Sequence, residues 1–208
     1  MLILKKTIEN LTWGIWKIDE DIDSLFSMLD NTSELIALKE KIQSESRLKE
    51  KVAVRVLLKN LTGSEKTIHY QDNGKPYFSD RLTHISISHT KNYAAVVLSE
   101  TQDIGIDIEY ISDRVKRIQS KFIGETEYID PENEIIHLLL HWSAKESIYK
   151  VLDREGIDLK KDLIIDKFTP DTNGLFYAHE KYTKANMRFT VQYFTTQEYV
   201  LTLAFPHV

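Results

Sequence analysis

Ile104-Gly105-Ile106-Asp107-Ile108-Glu109 places isoleucines and carboxylates in alternation. Residues two apart in an extended chain share a face and lie about 6.5–7 Å apart along it. Three β-branched isoleucines suit a strand and anchor one of its faces in a core. Asp107 and Glu109 then project together from the other face. By itself such a pair is the solvated face of an edge strand. It gains chemical meaning only if another element brings a third polar group to the same place.

A long helix is the candidate for that element. Asp130 is placed to cap it, Pro131 fits the first helical position, and Glu132 complements the positive end of the helix dipole. The apolar pattern runs to about Leu152, with Gly156 beyond the end. Ile135, Leu138, Leu139, Trp142, Tyr149 and Leu152 form one stripe, and Glu146 falls inside it. Lys145 lies on the other flank, and Lys150 follows Glu146 by one turn. A carboxylate on a core-facing stripe is costly unless it is paired or bound to metal. Asp107, Glu109 and Glu146 together offer only oxygen ligands. That set suits Mg²⁺, which also takes phosphate oxygens and keeps waters. Residue chemistry alone therefore points to a Mg²⁺-dependent reaction on a phosphorylated substrate. The substrate, and the choice between phosphoryl and nucleotidyl transfer, stay open.

Earlier in the chain, Thr12 to Ile18 reads as a strand, and Asp19 to Leu29 and Ser33 to Glu40 as helices. A core helix starts near Ser44 or Ser46 and ends before Gly63. Arg47, Lys49, Lys51, Arg55 and Lys59 decorate it, with Lys39 and Lys41 upstream. These read as a solvated face with Glu45 and Glu50 as partners, or as a phosphate site. Asn73-Gly74-Lys75-Pro76 reads as a hairpin turn with a lysine beside the glycine. His84 to His89 and Tyr93 to Ser99 are strands, and Ser88 and His89 fall at the end of the first. Thr101-Gln102-Asp103 is the plausible hinge, dividing the chain into residues 1–103 and 104–208. Ser112 to Phe122 reads as a helix. Strands follow at Leu163 to Phe168, Leu175 to Ala178, Phe189 to Tyr193 and Tyr199 to Phe205, the first two joined by an Asn173-Gly174 turn. Each half thus combines helix with several strands, an α+β fold.

The 208 residues carry a net charge of −5, with 42% hydrophobic and 28% charged residues. The balance disfavours nucleic acid as a partner. The absence of cysteine excludes disulfides and thiolate metal sites. Met1 to Lys6 is too short an apolar start for a signal peptide, and no run approaches the roughly 20 residues of a membrane span. These features lead to the expectation of a cytoplasmic protein with no membrane partner.

Gly105-Ile106-Asp107-Ile108-Glu109, followed by Trp142-Ser143-Ala144-Lys145-Glu146-Ser147-Ile148-Tyr149-Lys150, resembles the paired signatures of 4'-phosphopantetheinyl transferases of the surfactin-synthetase-activating type. Their patterns are approximately G-[IV]-D-[IV]-E and W-[STC]-x-K-E-[AS]-x-x-K. Gly74-Lys75-Pro76 and Ile87-Ser88-His89 match two further motifs of the family in order. The likeness covers about residues 44–152. It implies two similar α/β halves about a pseudo-two-fold axis, with the first contributing to coenzyme A binding and the second carrying the metal site. It implies transfer of the phosphopantetheine arm of coenzyme A to a serine of an apo acyl or peptidyl carrier protein. Adenosine 3',5'-bisphosphate would be released, and the enzyme would be a monomer. By the same likeness Asp107, Glu109 and Glu146 would hold Mg²⁺, and Glu146 or a metal-bound water would take the serine proton. Lys150 would stabilise the departing bisphosphate, with Lys145 in the same pocket. Lys75 and His89 would meet the coenzyme A phosphates, with Gly74, Pro76 and Ser88 beside them. Arg47, Lys39 or Lys41 would meet the 3'-phosphate, and Glu127 matches a family position of unassigned role.

Overall fold

A computed structural model describes residues 1–207 of the chain, without the side chains of Thr32 and Leu35. The described chain forms two compact units, Met1–Thr101 and Gln102–Val208. Each contains an antiparallel sheet with a long helix on one face, so the molecule is α+β.

In the first unit the strands are β1 (Leu2–Ile8), β2 (Leu11–Lys17), β3 (His69–Tyr70), β4 (Pro76–Tyr77), β5 (His84–Thr90) and β6 (Tyr93–Ser99). The main sheet has the order β1-β2-β6-β5, while β3 and β4 pair separately. Three helices accompany them: α1 (Ile22–Ser27), α2 (Thr32–Lys41) and α3 (Glu45–Thr62). Ser44 caps α3 by accepting from the Arg47 N–H, and Gly63 ends it at φ 76°. Val52, Val56, Leu57 and Leu61 of α3 pack into a core shared with Ile85, Ala94, Val96 and Leu98 of the sheet. The Asn73-Gly74 hairpin is formed as its residues demand: Gly74 has φ 85°, and the Gln71 N–H donates to the Lys75 carbonyl.

In the second unit β7 (Gly105–Tyr110) is an edge strand, and the sheet continues through β11 (Tyr199–Pro206), β10 (Arg188–Thr195), β9 (Asn173–Glu180) and β8 (Leu163–Ile165). Helix α4 (Glu134–Leu152) crosses β7 and β11. Asp130 caps the 3₁₀ turn Pro131–Asn133 that leads into it. Leu138, Leu140, Ala144 and Ile148 of α4 meet Phe176, Phe189, Val191 and Val200 of the sheet. Ile104, Ile106 and Ile108 are all buried.

Three details depart from the sequence reading. Ser112 to Phe122 is not an α-helix but two 3₁₀ turns, Asp113–Arg117 and Gln119–Lys121. Only Val115 and Phe122 are buried, with Ile118 packed partly against the core, and the intervening backbone bonds span three residues, as from Ile118 N–H to the Val115 carbonyl. Asn173-Gly174 is not a turn but the start of β9, where Gly174 leaves room for a ring. A Cβ there would lie 2.8 Å from the Tyr193 hydroxyl. Helix α4 does end at Leu152 as read, but the left-handed cap at φ 50° is Asp153, with Gly156 three residues further on.

Helix α4 also buries two histidines one turn apart. The Asp130 N–H donates to His137 Nδ1, which keeps that ring neutral, and His141 Nδ1 donates to the His137 carbonyl. His137 Nε2 has no hydrogen-bond partner among the described residues. Phe168 packs against both rings, edge-on to His137 at 4.4 Å and stacked on His141. Burial lowers His137 to about 4, against the pull of Asp130. Burial and then the neighbouring His137 lower His141 to about 3. Unfolded histidine titrates near pH 6.5. Below that value the unfolded chain therefore binds more protons than the folded one, and stability falls as the pH drops from about 6.5 towards 4. Urea unfolding followed from pH 7 to pH 4.5 should show the histidine contribution as uptake of about two protons near pH 5, offset in part by the proton that Glu109, raised to about 7 in the folded chain, releases on unfolding.

Candidate active site

The local geometry begins with a glycine. Gly105 on β7 faces α4 so closely that a Cβ would stand 1.9 Å from the Ser147 carbonyl oxygen. No residue with a side chain fits there. The approach is sealed by hydroxyls: Ser143 and Ser147 of α4 both bond the Thr202 hydroxyl of β11, at 2.9 and 2.7 Å. Thr202 is the partner of Asp107 in the sheet register. The face of β7 that bears Gly105, Asp107 and Glu109 is thus the one α4 covers.

That contact carries three residues of α4 to the two carboxylates. The Lys150 ammonium donates to Asp107 Oδ1 at 2.9 Å and to the Ile106 carbonyl at 2.8 Å. The Trp142 indole N–H donates to Glu109 Oε1 at 2.7 Å. Glu146, half-buried between those two on the same helix face, lies close enough to Asp107 and Lys150 to feel both charges. Burial raises Glu109 to about 7, reinforced by the charges of Asp107 and Glu146 and opposed by Trp142 and Lys150. Burial also raises Glu146, again reinforced by Asp107 and opposed by Lys150. Three crowded carboxylates facing one monovalent cation are short of positive charge. This all-oxygen donor set fits a hard divalent cation such as Mg²⁺. As they stand, no three His, Asp or Glu side chains among the described residues already enclose an ion position.

Lys145 is not part of this grouping, contrary to the expectation that it shares a pocket with Lys150. It is fully buried, and its ammonium bonds the Phe122 carbonyl and Glu127 Oε2, the latter at 2.7 Å. Glu127 also accepts from the Gly124 N–H at 2.7 Å and from the Ile165 N–H at 2.9 Å. The pair, with neither side chain exposed, ties the 122–127 segment and β8 to the helix.

In the first unit, His89 Nδ1 lies 3.2 Å from Glu50 Oε2 of α3. Arg47 is exposed in the first turn of that helix, and Lys39 and Lys41 are exposed in the last turn of α2. Ser88 is buried on β5. Gly74, Lys75 and Pro76 sit on the separate β3-β4 hairpin, where nothing lies within 4 Å of a Cβ built at Gly74.

The sequence reading missed the Trp142–Glu109 bond, the Lys145–Glu127 pair and the role of Thr202. A glycine within the isoleucine strand was the available sign of a close backbone approach. Glu127 alone gave no sign of its partner, because the two lie on different elements. Replacing Lys145 by Met strands the Glu127 charge in the core, and should cost about 3–5 kcal/mol in urea unfolding. Glu127→Gln added to Lys145→Met should restore part of that loss, because the stranded charge is then gone.

The family model described as 4'-phosphopantetheinyl transferase superfamily matches residues 103–204. A 4'-phosphopantetheinyl transferase of Bacillus subtilis is 30% identical over 115 residues, covering 49% of this chain and 51% of that protein. The 4'-phosphopantetheinyl transferase HetI of Nostoc sp. is 27% identical over 92 residues, 39% of each chain. The chain therefore spans about half or less of the length of these curated relatives. No helix among the described residues is long and apolar enough to cross a membrane. The stretch from residue 103 to residue 204, which holds the strand of alternating carboxylates and the Trp-Lys-Glu-Lys helix, matches the 4'-phosphopantetheinyl transferase superfamily.

Proposed function

We propose that this chain transfers the 4'-phosphopantetheine arm of coenzyme A to a serine hydroxyl of an apo acyl or peptidyl carrier protein. The observation that carries the reading is the acidic group on β7 and α4 with Lys150 bonded into it. It lies inside the segment that matches the superfamily. Asp107, Glu109 and Glu146 are the residues that would hold Mg²⁺. When bound, the ion neutralises charge on the pyrophosphate of coenzyme A.

The chain's own groups do the rest. The serine oxygen forms a bond to the phosphorus that bears the pantetheine arm, and the pyrophosphate bridge breaks with adenosine 3',5'-bisphosphate leaving. Glu146, half-buried on the same helix face as Lys150, is assigned the serine proton. Lys150 offers its ammonium to the charge that develops on the leaving phosphate. Asp107 keeps that ammonium in place. In the first unit Lys75, His89 and Arg47 are assigned to the coenzyme A phosphates, and Gly74, Pro76 and Ser88 to the surroundings of the nucleotide. Lys145, with no exposed surface, serves to hold α4 rather than to meet substrate.

Intact-mass spectrometry of an apo acyl carrier protein incubated with this protein, coenzyme A and Mg²⁺ tests the reading. The carrier should gain one phosphopantetheine mass. Glu146→Gln should slow the gain by about 100-fold or more. Absence of any gain across apo acyl and peptidyl carriers, with folded protein, would reject transferase activity on those partners.

A further inference from the structure

Glu109 is oriented by the helix rather than by its own strand. Its Oε1 accepts the 2.7 Å bond from the Trp142 indole, and an indole N–H can only donate. That bond fixes the rotation of the carboxylate and leaves lone pairs on it for a cation. The indole is itself held in place. It packs edge-on to Phe122, with ring centroids 5.3 Å apart and planes at 61°. Phe122 is fully buried, and its carbonyl receives the Lys145 ammonium. Lys145 is locked by Glu127, which also takes the N–H groups of Gly124 and Ile165. Unbroken contacts thus run from a buried ion pair through two aromatic rings to one carboxylate. Trp142, Glu146 and Lys150 follow one another at single-turn spacing on α4. One helix face therefore carries the group that orients Glu109, the third carboxylate, and the ammonium on Asp107.

We infer that Trp142 is a positioning residue for Mg²⁺, fixing one oxygen of Glu109 through its N–H, with the Lys145–Glu127 pair as the clamp that holds Phe122 and so the indole. The inference rests on the assignment of Asp107, Glu109 and Glu146 as the metal ligands. Losing an outer hydrogen bond to a ligating side chain lowers metal affinity by about 10–100-fold. Trp142→Phe keeps an aromatic ring beside Phe122 and removes the N–H.

Calorimetric titration with Mg²⁺, with and without coenzyme A, compares wild type, Trp142→Phe, Glu109→Ala and the double variant. Thermal unfolding establishes that each is folded. Trp142→Phe should bind Mg²⁺ about 10-fold or more weakly than wild type. Added to Glu109→Ala it should cost nothing further, because the N–H then has no carboxylate to orient. Wild-type affinity in Trp142→Phe would overturn the inference while leaving the metal site standing. So would a full additional loss in the Glu109→Ala background, which marks a merely structural role. Folded wild type that takes no Mg²⁺ even with coenzyme A would overturn the metal assignment, and this inference with it.

Discussion

Helix α4 can lie against strand β7 because residue 105 has no side chain. A single methyl group there would stand 1.9 Å from the Ser147 carbonyl oxygen, well inside van der Waals contact. Almost every feature of the candidate site follows from that approach. It brings Ser143 and Ser147 onto Thr202, and it lets Lys150 reach both the side chain of Asp107 and the backbone of Ile106. It also sets Trp142 against Glu109. The edge position of β7 matters as well: an edge strand has one neighbour, β11, and so can present an acidic group at the margin of the sheet.

The electrostatics of the second unit divide between two lysines five residues apart on one helix. Lys145 is sealed in, and its partner Glu127 satisfies two backbone N–H groups besides the ammonium itself. Such a pair contributes little net stability as a pair, but it cannot be broken cheaply from one side. Lys150 keeps about a quarter of its side chain exposed and faces carboxylates that repel one another. Helical geometry separates the two roles, since positions 145 and 150 project from different sides of α4. One lysine is thereby spent on architecture and the other stays beside the chemistry.

Much of this was legible before any coordinates. The alternation through Glu109 specified a strand with both carboxylates on one face, and the spacing of Trp142, Glu146 and Lys150 specified one helix face. Local rules of period and capping suffice for such features, as the Asp130 cap and the Gly74 hairpin also illustrate. The errors arose where a local signal had a tertiary cause. Asn173-Gly174 has turn chemistry, yet its glycine serves the Tyr193 ring on the next strand. Ser112 to Phe122 has helical spacing, yet too few of its side chains are anchored to sustain an α-helix.

The sequence by itself determined the periodicities, the caps, the acidic and basic residue types at the site, and the paired motifs that resemble those of the 4'-phosphopantetheinyl transferases. Only the tertiary structure decided which groups meet: Lys150 with Asp107, Trp142 with Glu109, Lys145 with Glu127. The reason is physical. Period and propensity act over a few residues, whereas each of these contacts joins residues 18 to 43 positions apart. Such contacts form only after α4 has packed on the sheet, where burial makes every polar group find a partner or bear the cost of lacking one.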